Sequence, residues 1–314
     1  MASTEIRFLE AAWPSANACV LTSDPPVLVD TGYHTEVRRL EAQLAGVGVD
    51  LSGIGLIINT HTHSDHIGGN REVQARSRAP ILMHEYEGGP INRGDWWATG
   101  LRYLDQEAPP FRVAQYLRDG ERLRFGDLDL DVLHVPGHSA GSIALYAPEP
   151  ETLILGDLFH ADDVGWINPR LEGAIAVYNA RASLERIRGL RVRRAYSGHG
   201  PAIEDVPGRL AAALDRIEGF IADPRRMATH AMKRIFVFAL MIRGGLPERE
   251  VSDCLRGTLW FPEFCTQHFP GEAPDEVAGR LLADLGASGA IAVRGGRVVS
   301  TALAPPQDRG GSSA

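Results

Sequence analysis

The feature that most constrains this chain is a run of six residues that follows a short apolar segment. Residues 54–58 read Ile-Gly-Leu-Ile-Ile, and the run itself is His61-Thr62-His63-Ser64-Asp65-His66. A short apolar run of this kind is typical of a buried β-strand. Four potential metal ligands within six positions are too close together for one compact coordination shell, so we expect a turn that supplies two adjacent metals. Imidazole nitrogens and carboxylate oxygens both suit zinc or iron.

Three further candidate ligands lie downstream, each close to a glycine and each after a short apolar or mixed segment. They are His138, Asp157 and His199. Ligands at the ends of separate strands can converge on one site because a rigid scaffold positions them. A two-metal site needs about seven or eight ligands, with water completing it. The sequence therefore holds enough ligands for two metals.

These motifs, with Val29-Asp30-Thr31-Gly32, occur in order across residues 15–205 and resemble those of the metallo-β-lactamase fold superfamily, most closely its glyoxalase II-like hydrolases. The resemblance implies an α/β fold, an αββα sandwich with the site along one edge. It assigns three ligands to one metal, namely His61, His63 and His138. It assigns three to the second, namely Asp65, His66 and His199. Asp157 would bridge the two metals, and Asp30 would support the ligand loop.

The same resemblance favours some hydrolytic reactions of the superfamily over others. The β-lactamases of this fold lack the bridging Asp, and several use a Cys ligand, whereas Cys19, Cys254 and Cys265 lie outside every motif here. Hydrolysis of β-lactams is therefore disfavoured. We expect cleavage of an acyl thioester or related ester by hydroxide formed between two Zn²⁺ ions, with Asp65 and Asp157 as the catalytic carboxylates. Iron or manganese would also fit, because mixed nitrogen and oxygen sites select poorly among these metals.

Several alternatives stay open at the level of sequence. Lactone-opening relatives share all seven ligands, so a lactonase is the nearest alternative. A phosphodiesterase or small-RNA nuclease, an iron-dependent sulfur dioxygenase and a non-catalytic ligand-binding regulator are further alternatives within the same superfamily.

Composition limits the partners and the location. The chain has 314 residues, of which 44% are hydrophobic and 23% charged, as in ordinary globular proteins. No stretch approaches the roughly 20 apolar residues of a membrane span, and no secretory signal is recognisable, so we expect a cytoplasmic protein. A net charge of −8 argues against a nucleic-acid partner. We expect a small-molecule acyl substrate, with homodimerisation left open.

The pattern of apolar residues predicts two domains. Strands alternate with helices up to residue 214, which predicts a layered α/β catalytic domain. Helices followed by a hairpin over residues 291–300 predict a mainly helical, winged-helix-like domain at 215–300, with a Gly295-Gly296 turn. Residues 301–314, rich in Pro, Gly and Ser, predict a disordered tail.

Candidate substrate contacts come from less specific signals. Residues 86–124, which we call the insertion segment, interrupt the strand pattern, and Gly88-Gly89-Pro90 marks their beginning. Trp96 and Trp97 in this segment either wall a substrate pocket or pin the segment to the core. His160 and Tyr178 are further candidate contacts, one close to Asp157 and one at a predicted helix start. The aromatic residues 257–270, with Trp260 and Phe261, are another candidate wall, although a core role is favoured.

Overall fold

The computed structural model describes residues 3–302, and its first sheet has six strands. The strands lie in chain order across the sheet: β1 (Ile6–Leu9), β2 (Ala18–Leu21), β3 (Val27–Val29), β4 (Leu56–Ile58), β5 (Ile81–His84) and β6 (Gln115–Leu117). From β3 to β6 the pairing is parallel, with Val29 opposite Ile58 and Ile58 opposite Leu82. Parallel strands are covered on both faces, which explains the unbroken apolar run that ends at Ile58.

The second sheet has five strands in the order β11-β10-β9-β8-β7. These are β7 (Arg122–Phe125), β8 (Leu128–His134), β9 (Ile143–Ala147), β10 (Thr152–Gly156) and β11 (Arg194–Ser197). The pair β10 and β11 is parallel, and the other pairs are antiparallel. As a result, β10 and β11 end at the same edge of the sheet.

Ten α-helices complete the described part of the chain. The helices are α1 (Val37–Gly46), α2 (Ser64–Ile67), α3 (Asn70–Ser77), α4 (Glu85–Arg93), α5 (Ala176–Arg188), α6 (Val206–Ala222), α7 (Pro224–Ile242), α8 (Val251–Gly257), α9 (Trp260–His268) and α10 (Pro274–Ala287). None of them is long and apolar enough to cross a membrane.

The two sheets pack face to face over an apolar core. One cluster combines inward side chains of the first sheet, such as Val29 and Ile58, with those of the second, such as Leu130 and Leu145. Helix α1 covers the outer face of the first sheet through Val37, Leu40 and Leu44. Helices α5 and α6 cover the outer face of the second sheet, where Leu184, Ile187 and Leu210 are buried. The predicted αββα sandwich is confirmed.

The chain divides into two compact units. One comprises the residues up to Ala11 and Ser15–Ala231, and the other comprises Ala12–Pro14 and the chain from Met232 onward. The boundary that the sequence predicts at residues 214 and 215 lies inside α6, whereas the units divide inside α7. The second unit contains α8, α9 and α10 and a three-stranded sheet in the order β12-β14-β13. Strand β12 (Leu246–Pro247) precedes these helices in the chain, and β13 (Ile291–Arg294) and β14 (Arg297–Ser300) follow them.

Three sequence expectations are refined by the structure. Gly88-Gly89-Pro90 does not form a turn that begins an irregular segment but lies inside helix α4. Trp260 and Phe261 are 2% and 0% exposed, so they belong to a core, as the sequence favoured. Thr301, the first residue of the predicted tail, donates a backbone hydrogen bond to Ala290 O at 3.1 Å. Residues 303–314 lie outside the described part of the chain.

Candidate metal centre

The seven predicted ligands lie at or just after strand ends. His61 and His63 follow β4, and Asp65 and His66 lie on the short helix α2 directly after them. His138, Asp157 and His199 follow β8, β10 and β11. All are buried except His199, whose side chain is 13% exposed. The structure brings all seven together.

The first group contains His61, His63 and His138, whose donor atoms lie within 4.8 Å of one another. His61 Nε2 is 3.1 Å from His63 Nδ1 and 3.2 Å from His138 Nε2. Nitrogens in a tetrahedral zinc shell, with bonds of 2.0–2.1 Å, lie about 3.3 Å apart. These two separations match the spacing that one cation requires, and the third pair of nitrogens lies within 4.8 Å.

The second group contains Asp65, His66 and His199. His199 Nε2 lies 3.2 Å from Asp65 Oδ2 and 3.4 Å from Asp157 Oδ2. Asp157 also lies 3.3 Å from His66 Nε2 through Oδ1, and 3.6 Å from His138 Nε2 through Oδ2. The Asp157 carboxylate thus contacts members of both groups.

The donor set fits a pair of cations. His66 Nε2 and Asp157 Oδ1 are buried and lie 3.3 Å apart, but neither makes a hydrogen bond of good geometry within residues 3–302. Buried polar atoms are rarely left unpartnered, because desolvation without a compensating bond is costly. A metal ion at each group would satisfy both atoms, and imidazole with carboxylate is a donor set that zinc accepts.

The two groups differ in charge. Burial lowers the pKa of His63 to about 3, and burial also lowers the pKa of His61 and His138. These rings are neutral and offer lone pairs. Burial opposes protonation of His66 and His199 too, but Asp157 outweighs it and raises the pKa of His199 to about 9 and that of His66 well above its ordinary value. The negative charge at the second group is carried by the carboxylates of Asp65 and Asp157, and a bound cation would take the place of the protons on the two rings.

Two hydrogen-bond acceptors orient the rings of His66 and His138 by contacting the ring nitrogen that faces away from the ligand groups. Asp30 Oδ2 lies 2.8 Å from His66 Nδ1, and its two oxygens also accept hydrogen bonds from the backbone and hydroxyl of Thr60. Asp30 has a left-handed backbone, with φ of 61°, which is uncommon outside glycine. His138 Nδ1 donates to the backbone oxygen of Trp166 at 2.7 Å. Both contacts leave Nε2 of the ring facing the ligand groups, which is how outer contacts tune metal ligands.

Two glycines allow the segments to meet. A Cβ atom on Gly198 would lie 2.1 Å from Asp157 Oδ1 and 2.6 Å from His66 Cε1. A Cβ atom on Gly165 would lie 1.9 Å from Asp157 O. Separations this short are impossible, so the residue before His199 and the residue before Trp166 must lack a side chain.

The predicted substrate contacts are not all brought to the centre. The His160 ring lies 5.5 Å from the His199 ring, and His160 Nδ1 is 2.5 Å from Ser197 Oγ. Trp96 packs against a separate apolar cluster around Ile67 and Leu101. Trp97 and Tyr178 are 54% and 48% exposed, so within residues 3–302 both rings lie largely in solvent.

Sequence reasoning missed Trp166. Its indole stacks on the His63 ring, with centroids 5.1 Å apart and planes 12° from parallel, and meets the His138 ring edge-on at 5.4 Å. Trp166 is partly exposed and lies beside the first group. No motif surrounds Trp166, and the only local signal is the glycine before it.

Comparison with known proteins supports the family that the sequence motifs indicate. The Metallo-beta-lactamase superfamily profile matches residues 12–199. The chain is 27% identical over 214 residues to an acyl-coenzyme A thioesterase, MBLAC2, of Gallus gallus. This alignment covers 62% of this chain and 75% of that protein. It is 38% identical over 121 residues to a hydroxyacylglutathione hydrolase of Synechocystis sp., covering 38% and 39% of the two chains.

Among solved structures, a metallo-beta-lactamase family protein from Thermus thermophilus aligns over 95% of this chain and 98% of its own. The TM-score is 0.58 and the identity is 22%, so this likeness concerns the fold. The resemblance seen in the sequence motifs is confirmed. The chain belongs to the metallo-beta-lactamase superfamily.

Proposed function

We propose that this protein is a dinuclear metal-dependent hydrolase that cleaves an acyl thioester or a related ester. The observation that carries the proposal is the Asp157 carboxylate, which lies within 3.6 Å of nitrogens from both ligand groups. A single carboxylate between two groups of buried donors is the arrangement expected of a bridging ligand. The relatives named as an acyl-coenzyme A thioesterase and a hydroxyacylglutathione hydrolase support thioester chemistry.

The chain's own residues hold the centre in a fixed geometry. Asp30 and the Trp166 carbonyl set the orientation of His66 and His138, so that these rings do not have to reorganise during turnover. Asp65 and Asp157 are buried carboxylates that both contact His199 Nε2. The partly exposed Trp166 ring provides an apolar surface for the acyl group beside the first ligand group.

We take water as the nucleophile, because two of the three cysteines are unsuited to that role and none lies in a ligand motif. Cys19 is buried in the core between the sheets, and burial raises the pKa of its thiol far above the ordinary value. Burial raises the pKa of Cys265 to about 11. Thiols with such pKa values are not thiolates at neutral pH, which covalent catalysis would require. Bound zinc ions would supply the Lewis acidity that makes water nucleophilic and polarises the acyl carbonyl.

The proposal is tested by coupling metal analysis to a substrate panel. Protein purified without chelator and supplied with Zn²⁺ is assayed on acyl thioesters of glutathione and coenzyme A, on lactones, on a β-lactam and on a bis-phosphodiester. We expect about two ions per chain and the highest kcat/KM on a thioester. Preference for a lactone or a phosphodiester would reassign the substrate class, and the absence of turnover on every substrate would point to a ligand-binding role.

A further inference from the structure

Glu87 is a buried acid that belongs to neither ligand group. Its residue is 5% exposed, and it lies on helix α4 in the insertion segment. This helix contains Gly88, Gly89 and Pro90, all poor helix formers. A Cβ atom on Gly88 would lie 2.9 Å from Tyr116 Cδ1 of strand β6, so the glycine lets the helix pack closely on the sheet edge. The helix is kept in place by packing and not by its own propensity.

The Glu87 carboxyl group meets the loop that carries His138. Glu87 Oε1 accepts a hydrogen bond from the backbone of Gly141 at 3.2 Å. A Cβ atom on Gly141 would lie only 2.6 Å from Glu87 Cγ, so this approach requires a glycine at that position. Ser139, directly after His138, also interacts with the carboxyl group.

The same carboxyl group meets the loop that carries His61 and His63. Thr62, which lies between these two ligands and is 2% exposed, is close enough to Glu87 that its hydroxyl and its backbone both lower the pKa of that carboxyl group. Glu87 Oε2 is buried and makes no hydrogen bond of good geometry within residues 3–302. Burial raises the pKa of Glu87 to about 7, and the contacts with Ser139, Gly141 and Thr62 only partly offset that rise. One side chain therefore touches both loops that build the first ligand group.

From this geometry we infer that Glu87 is a positioning residue that ties the loop of His61 and His63 to the loop of His138. These loops are separated by more than seventy residues of chain, yet the Nε2 atoms of His61 and His138 lie 3.2 Å apart. Glu87 sets that separation through Thr62 and Gly141. It is not itself in any group of His, Cys, Asp or Glu donors found within residues 3–302. The inference rests on the proposed function only in taking the first group as a metal site.

The test is metal binding, which is measured without turnover. Metal-free protein is titrated with Co²⁺, whose visible absorption reports its ligand shell, and competition with a chelator gives each dissociation constant. In Glu87→Ala we expect the first-group ion to bind about ten- to a hundredfold more weakly, as for other residues that orient metal ligands. The ion held by Asp65, His66 and His199 should keep its affinity to within about threefold.

Two further variants make the result decisive. Glu87→Gln keeps the shape of the side chain but offers one acceptor oxygen in place of two, so the affinity for the first-group ion should fall by less than in Glu87→Ala. If Glu87→Ala does not fold, Glu87→Gln tests the positioning role by itself. Glu85→Gln is the matched control, because Glu85 lies on the same helix but pairs with Arg118 at the surface. It should bind Co²⁺ as the unaltered protein does.

A double-mutant cycle tests the route of action. Thr62→Val removes the hydroxyl that Glu87 contacts, and its effect on first-group affinity should not add to that of Glu87→Gln. Wild-type affinity for both ions in Glu87→Ala or Glu87→Gln would overturn the inference. So would an equal weakening of both ions with a lowered unfolding temperature, because that is the signature of a general structural role. If the unaltered protein hydrolysed no acyl substrate, the proposed function would fail, and these affinities would still decide the role of Glu87.

Discussion

At the scale of single residues, the centre depends on ligand histidines whose other ring nitrogen is held by a hydrogen-bond acceptor outside the ligand groups. His66 uses Nδ1 for Asp30, and His138 uses Nδ1 for the Trp166 carbonyl. Each ring therefore presents Nε2 in one orientation. The ligands were predictable from sequence because their motifs are local. Trp166 was not, because its importance comes from contacts with His63 and His138 that only the folded chain creates.

The Trp166 side chain gives a prediction about specificity. Trp166→Ala should raise KM for a bulky acyl thioester by about ten- to a hundredfold, because burying such a ring against substrate is worth roughly 1.5–3 kcal/mol. A short acetyl thioester should be affected much less, and metal content should not change, because the backbone carbonyl that binds His138 remains. Steady-state kinetics on both substrates make the comparison.

Trp97 serves as the comparison variant, because the sequence made it a candidate substrate contact while the structure leaves it 54% exposed. Trp97→Ala should have the smaller effect on KM. If Trp97→Ala raised KM for the bulky acyl thioester more than Trp166→Ala did, the insertion segment, and not Trp166, would be the part that recognises the substrate.

At the scale of elements, the site is made by strand ends that meet at one edge of the sandwich. The strands β4 and β10 were predictable because each is a short apolar run. Helix α4 was not, because Gly88-Gly89-Pro90 is typical of a turn and is helical here through packing on β6. Local propensity was overridden by tertiary contacts, and the carboxyl group of Glu87 was thereby placed beside both ligand loops.

The meeting of β10 and β11 gives a second prediction. In Gly198→Ala the added Cβ would collide with Asp157 Oδ1 and the His66 ring, so Asp157 should be displaced. We expect metal content to fall below two ions per chain, measured by elemental analysis, with the circular dichroism spectrum unchanged. Gly46→Ala is the control, because Gly46 ends helix α1 and a Cβ there meets nothing within 4 Å. A Gly198→Ala protein with full metal content would contradict the role given to this close approach.

At the scale of the whole molecule, the partly buried acid Glu172 makes stability depend on pH. Burial, with Glu87 nearby, raises the pKa of Glu172 from 4.5 to about 8. The folded protein therefore holds a proton that the unfolded chain releases at lower pH. The resulting contribution to the free energy of unfolding is complete below about pH 4.5 and is lost as the pH rises through 8.

Glu172→Gln should remove this dependence. The free energy of unfolding, measured with urea from about pH 5 to 8.5, should fall less steeply with pH in the variant than in the unaltered protein. The difference between the two should be on the order of a kcal/mol or more across that window. Glu185→Gln, on the surface of α5 beside Arg188, is the control and should keep the original slope. A steeper fall in Glu172→Gln would reverse the sign and refute the argument.

The most direct test of the two-metal hydrolase is a titration of activity with metal. Metal-free protein receives increasing Zn²⁺, and the initial rate of acyl-thioester hydrolysis is measured at each addition. The two ligand groups joined by Asp157 predict a rate that rises until about two equivalents have been added and then stays constant, whereas Asp157→Ala should show no such rise. A rate that saturates at one equivalent, or that does not depend on added metal, would contradict the account.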